Sequence, residues 1–175
     1  MMVNRHIIYI IGFMGSGKTT AGKKLASLLG WSFIDLDKRI EEYAGKTIPE
    51  IFSQSGEDYF RIIETQLLRN LKMCTKTVIS TGGGTPCYID NMDYMIETGL
   101  TIYLKLTPAE LKSRLSQSKG KRPLIKDLDQ NELTTFIKEK LAVREKWYER
   151  SDITMDGIDL DINLLLSHVK SSLSI

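Results

Sequence analysis

The chain has 175 residues, 42% hydrophobic and 26% charged, enough for one domain with a proper buried core. A formal charge of +2 gives no electrostatic footing for a nucleic-acid or membrane partner, and neither is expected. Two cysteines without C-x-x-C or metal spacing, two isolated histidines and a longest N-terminal apolar run of five residues exclude a disulfide scaffold, a zinc site, a signal-peptide core and a membrane span; a soluble, unprocessed, cytoplasmic monomer is expected.

The first expected element is the apolar strand over residues 7–11. It runs directly into Gly12-Phe13-Met14-Gly15-Ser16-Gly17-Lys18-Thr19, which fills all four fixed positions of the G-x-x-x-x-G-K-[ST] phosphate-binding loop in its required strand-to-helix setting. Glycine lets the backbone turn tightly and bring N–H groups against phosphate oxygens, and the helix opening near Gly17 adds its positive dipole end. In such a loop Lys18 reaches the β- and γ-phosphates of ATP and the Thr19 hydroxyl holds Mg²⁺, with Gly15, Ser16, Gly17 and Thr20 completing the nucleotide contact. A helix over 19–29 follows, carrying Ala21, Leu25, Ala26, Leu28 and Leu29 inward, and Gly30 is placed to stop it.

Residues 31–34 read as a second strand leading into Asp35-Leu36-Asp37. Two carboxylates at i and i+2 point the same way while the chain stays extended, so one can serve a metal and the other a hydroxyl acceptor. Either alone is equally readable as a helix cap, Asp37 ahead of residues 38–43 above all. Thr47-Ile48-Pro49-Glu50 is a capping box that starts a helix, Ser55-Gly56 breaks it, and a longer helix is expected over 57–71. On that helix Arg61 and Glu64 are three apart and share a face, so the glutamate can hold the guanidinium.

A third strand over 77–80 ends in Thr81-Gly82-Gly83-Gly84, where three bare residues either bring backbone amides close to a small ligand or form a flexible turn. A fourth strand over 101–106 is followed by the capping box Thr107-Pro108-Ala109-Glu110. Residues 112–126 are strongly basic, and 118–123 lack periodicity, which reads as a mobile positive loop. A long helix over 129–149 places Arg144 and Tyr148 four apart; a short strand over 152–155 and an amphipathic helix with Leu160, Leu164, Leu165 and Val169 close the chain. Arg61 and Arg144 are either bidentate grips for carboxylate or phosphate, or solvated surface charges. Alternating strands and helices give an α/β fold whose ligands lie beyond the carboxyl ends of parallel strands, and the residues there give an ATP-using phosphotransferase acting on a small hydroxylated, anionic acceptor.

GFMGSGKT, D-L-D after the second strand, F-R-I-I-E at Phe60 to Glu64, S-T-G-G-G at Ser80 to Gly84, R-P-L at Arg122 to Leu124 and R-x-x-x-Y at Arg144 to Tyr148 together resemble the shikimate kinase family, in order, from about residue 7 to about residue 155. The resemblance implies a nucleoside-monophosphate-kinase-like P-loop kinase fold, a central five-stranded parallel sheet flanked by helices, in a single domain over 1–175. It implies transfer of the ATP γ-phosphoryl group to the 3-hydroxyl of shikimate, a step toward chorismate and the aromatic amino acids. By the same resemblance Asp37 binds the shikimate hydroxyls, Asp35 lies near Mg²⁺, Arg61 and Arg144 hold the substrate carboxylate, and Gly82, Gly83 and Gly84 supply a backbone contact. Arg122 is the lid arginine that reaches over the phosphates, and Arg114 packs on the adenine; residues 35–64 form the shikimate-binding segment and about 114–126 the lid. Lys18, Asp37 and Arg122 are the expected catalytic residues. Gluconate or nucleotide kinases and a non-catalytic nucleotide-binding module are the competing readings, although the D-x-x-G and N-K-x-D motifs of a GTPase-like switch do not occur.

Overall fold

A strand covered by helices on both faces must be apolar on both, and β1 (Ile7–Ile11) is buried along its whole length. The computed structural model describes residues 6–118, 125 and 127–175. Around β1 lie β2 (Ser32–Asp35), β3 (Thr77–Ser80), β4 (Leu100–Lys105) and β5 (Ile153–Asp156), all parallel, in the order β2-β3-β1-β4-β5. Alternation along β1 sends Ile8 and Ile10 to one side, into a cluster with Leu25 and Ala26 of α1 (Lys18–Leu29) and Leu165 and Val169 of α7 (Ile162–Leu173). Ile7, Tyr9 and Ile11 go to the other, against α2 (Leu36–Ala44), α3 (Ile48–Asn70), α4 (Asn91–Thr98), α5 (Pro108–Ser118) and α6 (Gln130–Tyr148). The five-stranded parallel sheet expected from the resemblance is thus present.

Chain order crosses over at the centre of this sheet, since β2 and β3 lie on one side of β1 while β4 and β5 lie on the other. The helices that follow β1 and β3 therefore pack on opposite faces of the sheet, and the strands' carboxyl ends border a crevice.

The differences from the sequence reading are local. β2 runs one residue later than expected, to Asp35, and α2 begins at once at Leu36. β4 starts one residue earlier, because Leu100 already pairs with Ile8. Leu106 drew the expected strand outward, yet it is buried just beyond the ladder, where apolarity reflects packing rather than pairing. Helix α4 was not expected; its signal is the short run Met92, Met95 and Ile96, with Met92 and Met95 buried. The three capping boxes at Thr47, Thr107 and Asp129 are all closed, each by a glutamate three residues on. The basic segment opens as the end of α5; residues 119–124 and 126, Arg122 and most of the expected mobile lid among them, lie outside the described residues. No helix among the described residues is long and apolar enough to cross a membrane.

Helix α3 carries the expected break, with Gly56 at φ 81°, ψ 172° between two helical stretches. Only glycine adopts that geometry without strain. The bend sets the direction of the stretch that holds Arg61. Gly56→Ala meets no neighbour, so its cost is backbone strain of about 1–3 kcal/mol. We expect a lower thermal midpoint together with a raised KM for the acceptor and an unchanged KM for ATP.

Candidate active site

The phosphate loop leaves β1 and enters α1 through Gly17, the left-handed N-cap at φ 93°. Lys18, 9% exposed, folds back so that its Nζ donates to the carbonyls of Gly12 and Phe13, each at 2.9 Å. A lysine parked on its own loop lies beside the space it serves when phosphate arrives. Ser16 closes the loop by donating its N–H to Phe13 O at 3.1 Å, and its buried hydroxyl, which has no hydrogen-bond partner among the described residues, faces Gly12. Thr20 is exposed on the first turn of α1. Arg114, reaching in from α5, donates to the carbonyls of Gly15 and Ser16 in the loop and of Gly157 and Ile158 after β5. It thereby clamps the phosphate loop to the segment after β5.

Asp35 and Asp37 do not lie along one extended strand, which corrects the sequence reading. Asp35, not Asp37, is the N-cap of α2 and accepts from Lys38 N at 3.4 Å; Asp37 lies in the first helical turn. The helical turn separates their directions. Asp35 Oδ2 accepts from the Thr19 hydroxyl at 2.9 Å, with Ser80 Oγ 3.4 Å from that hydroxyl. Asp37 faces Gly82, where an added Cβ would lie 3.0 Å from Asp37 Oδ1 and 2.9 Å from Glu64 Oε1.

Burial pushes the Asp37 carboxyl up to about 6; Lys18 works against this, while Glu64, Asp35 and Glu41 reinforce it. Glu64 itself is fully buried, taking 2.6 Å from Arg61 Nη1 and 2.5 Å from the Thr85 hydroxyl. Thr85 and the α4 residue Asn91 were not anticipated. Asn91 Nδ2 holds both the Thr85 carbonyl and the Thr65 hydroxyl, so α4 buttresses the network from below. Glu57 occupies the other edge of Arg61, at 3.3 Å from Nε and 3.2 Å from Nη2; its i, i+4 spacing was legible in the sequence.

The three glycines are explained by crowding. A Cβ at Gly82 would meet Glu64, Asp37 and Thr85, one at Gly83 would lie 3.2 Å from Met14 N and 3.5 Å from Arg144 Nη1, and one at Gly84 would overlap the Arg61 guanidinium. Two arginines, a carboxylate pair and the phosphate loop therefore converge on one turn that has no side chains. Together with Lys38, Glu41, Ile48, Phe52 and Phe60 they line a cavity of about 850 Å³ beside the phosphate loop. Cys87, in the short helical turn after Gly84, has its thiol pushed up to about 11 by burial, which leaves it protonated. No cluster of three or more metal-ligating His, Cys, Asp or Glu side chains occurs among the described residues. Thr19 and Asp35 do match the one or two oxygen ligands with which Mg²⁺ is ordinarily held next to phosphates.

A family model described as Shikimate kinase matches residues 14–170. The chain is 45% identical over 150 residues to the shikimate kinase of Parabacteroides distasonis, covering 86% of this chain and 87% of that one. Its fold superposes on the shikimate kinase of Bacteroides thetaiotaomicron with a TM-score of 0.88 at 36% identity, over 97% and 98% of the two chains. It superposes on that of Acinetobacter baumannii, solved in complex with shikimate, with a TM-score of 0.85 at 32% identity, over 98% and 95%.

Gly84 gives the sharpest test of the crowded turn. Gly84→Ala places a methyl group against the guanidinium of Arg61, which is held by Glu64 and cannot swing away without breaking a buried ion pair. Acceptor affinity measured by calorimetry should fall by roughly ten- to a hundredfold, the loss of about one charge-assisted contact, with ATP affinity preserved.

Proposed function

The chain belongs to the shikimate kinase family and transfers the γ-phosphoryl group of ATP to shikimate, and from that premise we propose how its residues divide the work. The observation that carries the division is the placement of Asp37, Arg61, Arg144 and the triple-glycine turn around one cavity next to Lys18. Arg61 and Arg144 take the substrate carboxylate between them, with Gly82, Gly83 and Gly84 as backbone floor. Asp37 then faces the 3-hydroxyl, aligns it, and accepts its proton as the oxygen bonds to the γ-phosphorus and ADP departs. A carboxyl raised by burial is a better base than a surface aspartate and is still charged at neutral pH.

Lys18 exchanges the Gly12 and Phe13 carbonyls for the β- and γ-phosphates, a transfer between two sets of oxygens that needs only a rotamer change. Gly15, Ser16, Gly17 and Thr20 border the phosphates, Arg114 borders the adenine edge, and Arg122 of the lid covers the phosphoryl group. Thr19 and Asp35 would hold Mg²⁺, which when bound spreads the negative charge of the phosphates. Catalysis in this scheme is positioning and electrostatic stabilisation, with no covalent intermediate on the protein. The basic lid segment excludes water, the competing acceptor. Monomeric action in a reducing cytoplasm belongs to the same proposal, the latter in keeping with two free cysteines.

ADP release should depend on shikimate and stay near background with ATP alone. Equal ADP release with and without shikimate would leave the acceptor unassigned. Asp37→Asn keeps the shape and removes the charge, so kcat should drop by roughly 10²- to 10⁴-fold with little change in the KM for ATP. A defect confined to ATP binding would transfer Asp37 to the metal. Lys18→Ala should abolish turnover while circular dichroism stays native, because its ammonium is held at the phosphate loop by the Gly12 and Phe13 carbonyls rather than within the hydrophobic core.

A further inference from the structure

Tyr148 is fully buried on α6, one turn beyond Arg144, with its ring 5.1 Å from that of Tyr103. A buried phenol requires a partner, and the Tyr148 hydroxyl donates to the Gly83 carbonyl at 2.5 Å. Arg144 lies over the Phe13 ring at 5.6 Å and beside Gly83. The tyrosine of α6 and the arginine one turn before it thus meet the glycine turn after β3 at the same residue.

We propose that Tyr148 is a positioning residue for the acceptor: by donating to the Gly83 carbonyl it fixes the glycine-turn peptide against α6, and so relative to Arg144, which lies beside the same glycine. Three successive glycines leave their peptide planes free to rotate, since no Cβ resists. In a planar trans peptide the Gly83 carbonyl and the Gly84 N–H point in opposite directions, so pinning the carbonyl to α6 also aims that amide. The same anchor removes peptide freedom from the turn that would otherwise be lost when substrate binds. Burial holds the phenol well above its ordinary range, and it stays a donor across the working pH. This inference rests on the proposed role of Arg144 in binding the substrate carboxylate.

Tyr148→Phe keeps the ring against Tyr103 and removes only the hydroxyl. The KM for shikimate should rise by roughly five- to fiftyfold with the KM for ATP unchanged, and the loss should shrink to about twofold or less in an Arg144→Ala background. Tyr148→4-fluorophenylalanine, which fills the hydroxyl's volume without a donor, gives the same readout should the Phe variant not fold. A lower thermal midpoint with both KM values unchanged would make Tyr148 a core residue only and overturn the inference. So would losses that simply multiply in the double variant. An Arg144→Ala enzyme with wild-type KM for shikimate would instead overturn the assignment of Arg144, a failure distinguishable from the first because it appears without touching Tyr148.

Discussion

The acceptor half of the molecule is organised by a carboxylate that water never reaches. Glu64 is buried completely, and an ionised group in that position is tolerable only if its lone pairs are taken up. Arg61 and Thr85 do so, and Thr85 is in turn held by Asn91. The requirement to satisfy one charge therefore ties α3 to the turn after β3 and that turn to α4. It also fixes Arg61 flat against Gly84, so the absence of a side chain there follows from the ion pair rather than from any need for a flexible loop.

Charge is distributed around the cavity with a purpose that individual pairs do not reveal. Burial, and after it the neighbouring carboxylates Glu64, Asp35 and Glu41, hold the Asp37 carboxyl above the ordinary range. Lys18, Arg61 and Arg144 stand opposite. Arg61 is opposed by burial, yet Glu64 and Glu57 together hold its pKa above the ordinary value, so it stays charged. Arg61 is thus already oriented by Glu57 and Glu64 before an anionic substrate arrives. The orientation is complete before binding, which removes part of the entropic cost of recognition.

The two halves of the reaction meet because the sheet reverses its winding order at β1. The phosphate loop leaves β1 and the glycine turn leaves β3, adjacent strands with Ile10 opposite Ser80. Their loops touch directly: Gly83 lies against Met14 and Gly12, and Thr81 donates to the Ile10 carbonyl through both its N–H and its hydroxyl. The phosphate loop and the glycine turn are thereby set on neighbouring strand ends, which suits the positioning that phosphoryl transfer relies on in place of covalent chemistry.

Motifs whose meaning is local were legible in the chain. The phosphate loop, the capping boxes at Thr47 and Thr107, the break at Gly56 and the Arg61–Glu64 pairing depend on spacings of three to eight residues, and backbone geometry alone converts such spacings into shape. The Asp35–Asp37 pair was read wrongly for a related reason: whether the chain is still extended at Leu36 is decided by that residue's burial beneath α3, not by its neighbours in sequence. Helix α4 and the Thr85–Asn91 buttress were invisible because their stabilisation comes from residues 6 to 26 positions away. The sequence by itself determined a phosphate-binding α/β kinase and named most of the groups around its site. Only the tertiary structure decided which carboxylate faces the glycine turn, why three glycines are needed in a row, and that a buried tyrosine of α6 holds the Gly83 carbonyl, since each of these is a contact between elements that meet only when the sheet is assembled.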